Sequence, residues 1–187
     1  MTPLAVENRA GKERISDMNL SDQKTIEADR ETVFAALLDP EVLKACVPGC
    51  QEMSGSPKDG FEATVVQKVG PVKATFRGAV QLSDMHRPQR LTITGEGKGG
   101  AAGFAKGGAQ VRLEQDGPRT VLHYEVEAKV GGKLAQLGSR IIDGFAKKMA
   151  DQFFSNFQDV VGETEPDASA ETPDQPAKKR WFGLSKA

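Results

Sequence analysis

The chain has 187 residues with 25 basic and 26 acidic side chains, a net charge of −1. That balance removes the electrostatic footprint of a general nucleic-acid binder, and no apolar run approaches the roughly 20 residues that span a bilayer as a helix. Two cysteines, Cys46 and Cys50, are too few for a disulfide framework and read as reduced thiols in a cytoplasm. The two histidines, His86 and His123, lie too far away in sequence to complete a zinc site with them.

Residues 1–17 are polar and aperiodic, without the apolar core of an export signal, and are assigned to a disordered leader or an added extension ending before Met18. Leu20 to Ile26 alternates imperfectly, as an edge strand does. Asp29 is placed to cap a short helix carrying Val33, Phe34, Leu37 and Leu38. Pro40 ends that helix or starts a second one with Val42 and Leu43 facing inward, and Pro48-Gly49 turns the chain.

Alternating segments follow. One face gathers Phe61, Ala63, Val65, Gln67 and Val69, then Val72, Ala74, Phe76, Gly78, Val80 and Leu82 after the Gly70-Pro71 turn. Beyond a turn at His86–Gln89 the same face continues through Leu91, Ile93, Gly95 and Gly97, then Ala109, Val111 and Leu113. After Asp116-Gly117-Pro118 it is completed by Leu122, Tyr124, Val126, Ala128 and Val130. A period of two with one apolar face means an antiparallel sheet covered on one side.

The cover is the stretch from Gly131 to Gly162, read as one long amphipathic helix. Leu134, Leu137, Ile141, Phe145, Met149, Phe153, Phe157 and Val160 form its apolar stripe; Phe154 falls toward the polar side, as a scattered surface aromatic or, in a second reading, a contact with a partner enzyme. The fold class is therefore α+β: strand, two short helices, a curved antiparallel meander, then one long helix across it.

The inward face is nearly free of charge and its central positions are small. Two readings stay open: close helix packing without a cavity, or a bent sheet that leaves an apolar pocket. In the second, Phe34, Leu37, Leu38, Val65, Gln67, Phe76, Val80, Ile93, Val111, Tyr124, Val126, Leu137, Ile141, Phe145 and Met149 line a ligand site, with Gln67 and Tyr124 as the polar groups. Catalysis finds little support: His86 sits in a turn, His123, Glu125 and Glu127 face outward, and no nucleophile has an adjacent base. The run from Gly95 to Gly103 lacks the Gly-Lys-Ser/Thr ending of a phosphate loop and precedes a strand; flexible gating of a pocket mouth suits it better.

Residues 162–177 have the acidic, proline-bearing composition of a solvated linker. Residues 178–187 reverse it, with Lys178, Lys179, Arg180 and Lys186 around Trp181, Phe182 and Leu184, the ingredients of an interfacial membrane contact. A frayed basic terminus and a protein-recruitment peptide are the competing readings.

The order of elements resembles the START-like (SRPBCC) helix-grip superfamily. Within it, Asp39-Pro-Glu-Val-Leu-Lys-Ala-Cys-Val-Pro-Gly-Cys50, Gly95-Glu-Gly-Lys-Gly-Gly100, Gly103-Phe-Ala-Lys-Gly107 and Val130-Gly-Gly-Lys-Leu-Ala-Gln-Leu-Gly-Ser-Arg140 resemble the family of the CoxG subunit of carbon monoxide dehydrogenase, over a domain of residues 18–161. The resemblance implies a non-catalytic protein with no covalent cofactor. Its implied partners are a molybdenum hydroxylase of the carbon monoxide dehydrogenase type, a lipophilic quinone (menaquinone or ubiquinone), and the inner face of the cell membrane, to which a cytoplasmic protein would be peripherally held. The alternatives are an assembly or recruitment factor without a physiological ligand, and a cyclase or dehydratase of the same superfamily.

Overall fold

A computed structural model describes residues 14–163. Seven strands form one antiparallel sheet in the order β1-β7-β6-β5-β4-β3-β2. They are β1 (Ile15–Ile26), β2 (Cys50–Ser56), β3 (Gly60–Val69), β4 (Val72–His86), β5 (Arg90–Lys98), β6 (Phe104–Asp116) and β7 (Arg119–Gly131). Helices α1 (Arg30–Leu37) and α2 (Pro40–Cys46) connect β1 to β2 at the opposite edge, and α3 (Ser139–Glu163) follows β7. This is the curved sheet, early helix pair and long final helix expected from the sequence.

The caps explain the short helices. Asp29 Oδ1 accepts from the Thr32 amide at 3.0 Å and opens α1, while Asp39 Oδ1 accepts from the Glu41 amide at 2.8 Å and opens α2 with Pro40 in its first turn. Gly70 and Gly117 hold positive φ at the β3–β4 and β6–β7 turns, the conformation that tight hairpins require.

Several boundaries differ from expectation. Strand β1 begins at Ile15, so residues 15–17, assigned to the leader, pair with Lys129–Gly131 of β7; residues 1–13 lie outside the described residues, as do the linker beyond 163 and the tail. Strand β2 carries no sequence signal, because Cys-Gln-Glu-Met-Ser-Gly-Ser offers almost no apolar alternation and pairs only along one edge. His86 closes β4 opposite Arg90, and β6 starts at Phe104 instead of Ala109.

The largest difference concerns the helix. It starts at Ser139, not Gly131, because Gly131 still pairs with Ile15 and Phe104. Gly132 then takes φ +76° beside Gly103, where any side chain would meet the Gly103 Cα at 2.6 Å. A 3-10 turn follows at Ala135–Leu137, and Gly138 takes φ +88° before the helix proper. At about 1.5 Å per residue, α3 is roughly 37 Å long.

Two apolar clusters hold α3 to the sheet. Around its C-terminal half, Phe157 and Val161 join Ile26, Val33, Phe34, Leu91 and Leu122 in the larger core. Around its start, Ile142 packs with Met18, Val69, Val130 and Leu134. Each fully buried large side chain contributes about 1.5–3 kcal/mol, so the clusters, and not helix propensity, fix where α3 lies. Polar ties fix its rotation: Asn156 Nδ2 donates to the Cys46 carbonyl at 3.0 Å and Gln158 Oε1 accepts from the Glu27 amide at 3.0 Å.

Both cysteines are unpaired. Cys46 is fully buried and burial pushes its thiol up to about 11. Iodoacetamide at about pH 8 should therefore leave Cys46 unmodified in the folded protein, since only about a thousandth of it is thiolate, and label it after denaturation. Mass spectrometry of the native protein checks this; rapid native labelling of Cys46 would mean that α2 detaches readily.

Candidate functional site

Where α3 passes over the middle of the sheet, the covering is incomplete. A cavity of about 310 Å³ remains. Its floor is the inward face of the sheet: Phe61 and Ala63 of β3, Val80 and Leu82 of β4, Ile93 of β5, Ala109 and Val111 of β6, Leu122, Tyr124 and Val126 of β7. Leu37, Leu43, Val47 and Met53 wall one side, and Ala150, Phe153 and Phe154 of α3 roof it. Small Ala63, Ala109 and Ala150 leave the space that larger residues would fill.

An aromatic row shapes the roof. Phe154 stacks on Tyr124 with centroids 5.1 Å apart, Phe153 meets Phe154 edge-on at 5.1 Å, and Phe153 stacks on Phe157 at 5.8 Å. Phe154 is thus a cavity residue, not the surface aromatic or partner contact expected from the helical wheel. Leu134 and Leu137, which precede the helix, misphase that wheel; the stripe that faces the sheet runs through Ile142, Ala146, Ala150, Phe154, Phe157 and Val161.

Of the fifteen residues expected to line a site, Leu37, Val80, Ile93, Val111, Tyr124 and Val126 come together at the cavity. The rest are elsewhere. Phe34 is sealed in the larger core with the Arg87 guanidinium 5.8 Å above its ring, and Leu38 packs at that core's margin. Phe76, Leu137 and Phe145 pack on the second cluster. Val65 and Met149 are half-buried off the cavity, and Ile141 is 42% exposed. Gln67 is engaged, its Nε2 donating to the Pro48 carbonyl, so it secures the Pro48-Gly49 turn. Phe61, Ala63, Leu82, Ala109 and Leu122 are legible in the sequence as inward-phase residues, whereas Met53 belongs to a strand without a sequence signal.

The glycine-rich segment does not line the cavity. Gly99 lies against the Phe76 ring, where a Cβ would come within 2.4 Å of Cε1, and a three-residue 3-10 turn (Gly100–Ala102) leads into β6. Gly99 and Gly103 are tightly packed while Gly97 and Gly100 face open space, and the segment runs into a strand and not a helix, unlike a phosphate loop.

Charge enters at one margin, where α3 crosses edge strand β1. Lys24, on the inward phase of β1, places Nζ 2.8 Å from Asp151 Oδ1 and 3.1 Å from Asp22 Oδ2; Asp151 Oδ2 also takes Lys147 Nζ at 3.1 Å. These bonds to Asp151 and Asp22 hold the Lys24 ammonium above its usual range. The Asp151 carboxyl is held low by Lys24 and then Lys147, and that of Asp22 by the Gln23 amide and then Lys24. The depressed carboxyls make the clip effective above the ordinary carboxylate range and lose it as pH falls through their lowered values. The raised lysine extends it into alkaline solution. Being at the surface, it orients more than it stabilises. Tyr124 lies in the field of this cluster, and burial, then Asp22, hold its phenol protonated beyond the usual range.

The histidines stand apart. His123 Nε2 is 3.1 Å from Glu114 Oε2 on the outer face, and His86, Glu125 and Glu127 are exposed. Among the described residues no group of three or more His, Cys, Asp or Glu is gathered as a metal site, and no helix is long and apolar enough to cross a membrane. The expected membrane contacts, Lys178, Lys179, Arg180, Trp181, Phe182, Leu184 and Lys186, lie outside the described residues.

Residues 23–162 match the family of the CoxG subunit of carbon monoxide dehydrogenase. Among solved structures, a conserved protein from Geobacillus kaustophilus is 26% identical, with 78% of this chain and 96% of that one covered at a TM-score of 0.74. A START superfamily protein from Mycobacterium smegmatis shares the fold at 15% identity, covering 79% and 99%, with a TM-score of 0.60. An uncharacterised protein from Rhizobium leguminosarum does so at 14%, covering 81% and 98%, with a TM-score of 0.63. Curated proteins give no match.

Proposed function

The chain belongs to the CoxG family, and from that premise we propose that it is a non-catalytic accessory protein of a molybdenum hydroxylase of the carbon monoxide dehydrogenase type. In this reading the domain takes up a lipophilic quinone and brings the hydroxylase to the inner surface of the cell membrane. The observation that carries it is the 310 Å³ cavity whose lining side chains are apolar except for the phenol of Tyr124. Apart from that phenol, held protonated, such a lining offers no acid, base or nucleophile to a substrate, and it favours a neutral ring.

Size bounds the occupant. Ligand pockets run from about 300 to 1,000 Å³, and a cavity of about 150 Å³ accepts a benzene ring. The present volume therefore suits a one- or two-ring head, with any long isoprenoid chain leaving through a margin. Tyr124, kept as a neutral O–H, is the donor a quinone carbonyl could use.

Calorimetric titration with short-chain naphthoquinone and benzoquinone tests the reading. Saturable one-to-one binding at micromolar concentration is expected, with heat-capacity loss on binding as apolar surface is buried. A purified hydroxylase partner should reduce the bound quinone faster than the free one. Absence of binding by both quinones overturns the ligand assignment and leaves recruitment alone.

A further inference from the structure

We propose that the β3–β4 hairpin tip and the start of α3 form a docking face for an anionic lipid surface, separate from the basic aromatic tail. The inference rests on the membrane-coupled reading above.

The hairpin tip, Val69-Gly70-Pro71-Val72, backs onto the helix start: a side chain at Gly70 would touch Ile141 Cγ2 at 3.5 Å and Leu137 Cδ1 at 3.9 Å. Lys68 and Lys73 face each other across the hairpin in register. Like charges directly opposite are unfavourable in a sheet. No described carboxylate pairs with either lysine, and no acidic residue occurs between positions 63 and 83. Lys133 and Arg140, flanking the 3-10 turn before α3, are also exposed without a described partner. Asp143 is the one carboxylate in the first two turns of the helix.

On the same two segments as these four cations lie the exposed Pro71, the half-buried Leu137 and Val72, and Ile141, one of the three large apolar side chains exposed among the described residues. Cations around a small apolar tip match the charge and layering of an anionic bilayer: headgroups outside, hydrocarbon beneath. A soluble anion would need the cations but not the apolar centre. From Ile141 a strip of half-buried apolar residues, Phe145, Met149 and Phe153, winds along α3, and Phe153 already lines the cavity. The face thus stands at the start of an apolar track toward the proposed ligand site.

The test is sedimentation of the full chain with vesicles of equimolar phosphatidylcholine and phosphatidylglycerol. Lys68→Glu/Lys73→Glu should weaken binding about twentyfold or more, since each cation at an anionic surface is worth about fivefold, and Ile141→Asp about tenfold. Lys58→Glu/Arg90→Glu, with the same change of charge at the other end of the sheet, should change it less than about twofold. All three variants alter exposed positions and should keep the melting temperature and the quinone affinity measured in detergent.

Equal losses in the patch and control variants would reduce the effect to net charge and overturn the proposal. Binding like that of the unmodified chain would do the same, leaving membrane coupling to the tail. If the patch variants lost only the hydroxylase, the face would be a protein contact and the proposal wrong. An unmodified chain that ignores anionic vesicles overturns both this proposal and the membrane part of the functional reading.

Discussion

Phe154→Ser should lower the melting temperature by about 5–15 °C and weaken quinone binding in the same protein. Phe154 stacks on Tyr124 and meets Phe153 edge-on, so truncation removes two ring contacts and leaves a hydroxyl facing apolar walls. Removal of a buried Phe costs about 3–5 kcal/mol. The site here is half-buried and already borders a void, so about 2–4 kcal/mol is expected. For a domain of this size each kcal/mol moves the midpoint by about 2–4 °C. Thermal denaturation followed by circular dichroism reads the first effect and calorimetry the second. A variant as stable as the parent would return Phe154 to the surface and leave the cavity without its aromatic roof.

The position of Phe154 also shows how far the sequence can be read. The sheet is legible almost strand by strand, because one-sided burial enforces a period of two and five strands keep it with glycine or proline turns between them. Strand β2 is not, since its pairing comes from β3 and not from its own residues. For the helix the period is right and the phase holds at its C-terminal end, where Phe153, Phe157 and Val160 pack inward, but is off by one residue at its start. Gly131 and Gly132 look like its start, whereas strand pairing with Ile15 and Phe104 holds Gly131 in the sheet and Gly138 delays the helix. A shift of one residue on a helix is about 100°, enough to move Ile141 from core to surface and Phe154 from surface to cavity.

The same consideration governs the candidate site. Residues assigned by strand alternation reach the cavity in good measure, including Val80, Ile93, Val111, Tyr124 and Val126; those assigned by the helical stripe, Leu137, Ile141, Phe145 and Met149, do not. Gln67 cannot be judged from pattern, because its use depends on a turn nineteen residues away whose carbonyl it binds. Small residues are ambiguous between close packing and open space. Both occur here: Gly99 lets Phe76 approach, while Ala63 and Ala109 leave the cavity open.

Ala109→Phe separates the cavity from every other apolar surface as the ligand site. Ala109 lies on β6 at the cavity floor, half-buried, with its side chain on the inward phase between Val111 and Gly107. A phenyl ring needs about the volume of benzene, and about 150 Å³ of cavity accommodates one. Roughly half of the 310 Å³ would therefore be filled, which leaves room for a single ring, and a two-ring naphthoquinone head no longer fits without forcing the walls apart. Overpacking of that kind costs about 1–3 kcal/mol, so binding should weaken up to about a hundredfold, which is about 2.7 kcal/mol. Stability should not fall, because the added ring enters existing space and buries apolar surface. The two effects are read together in one thermal experiment. Ligand at about a hundred times its Kd stabilises the parent by about 2.7 kcal/mol, a rise of roughly 5–10 °C; the variant should melt at or above the ligand-free parent and show no such rise. A variant that is equally stable yet shifts with naphthoquinone as the parent does would place the ligand outside the cavity, and the exposed apolar residues at the start of α3 would be the next place to look.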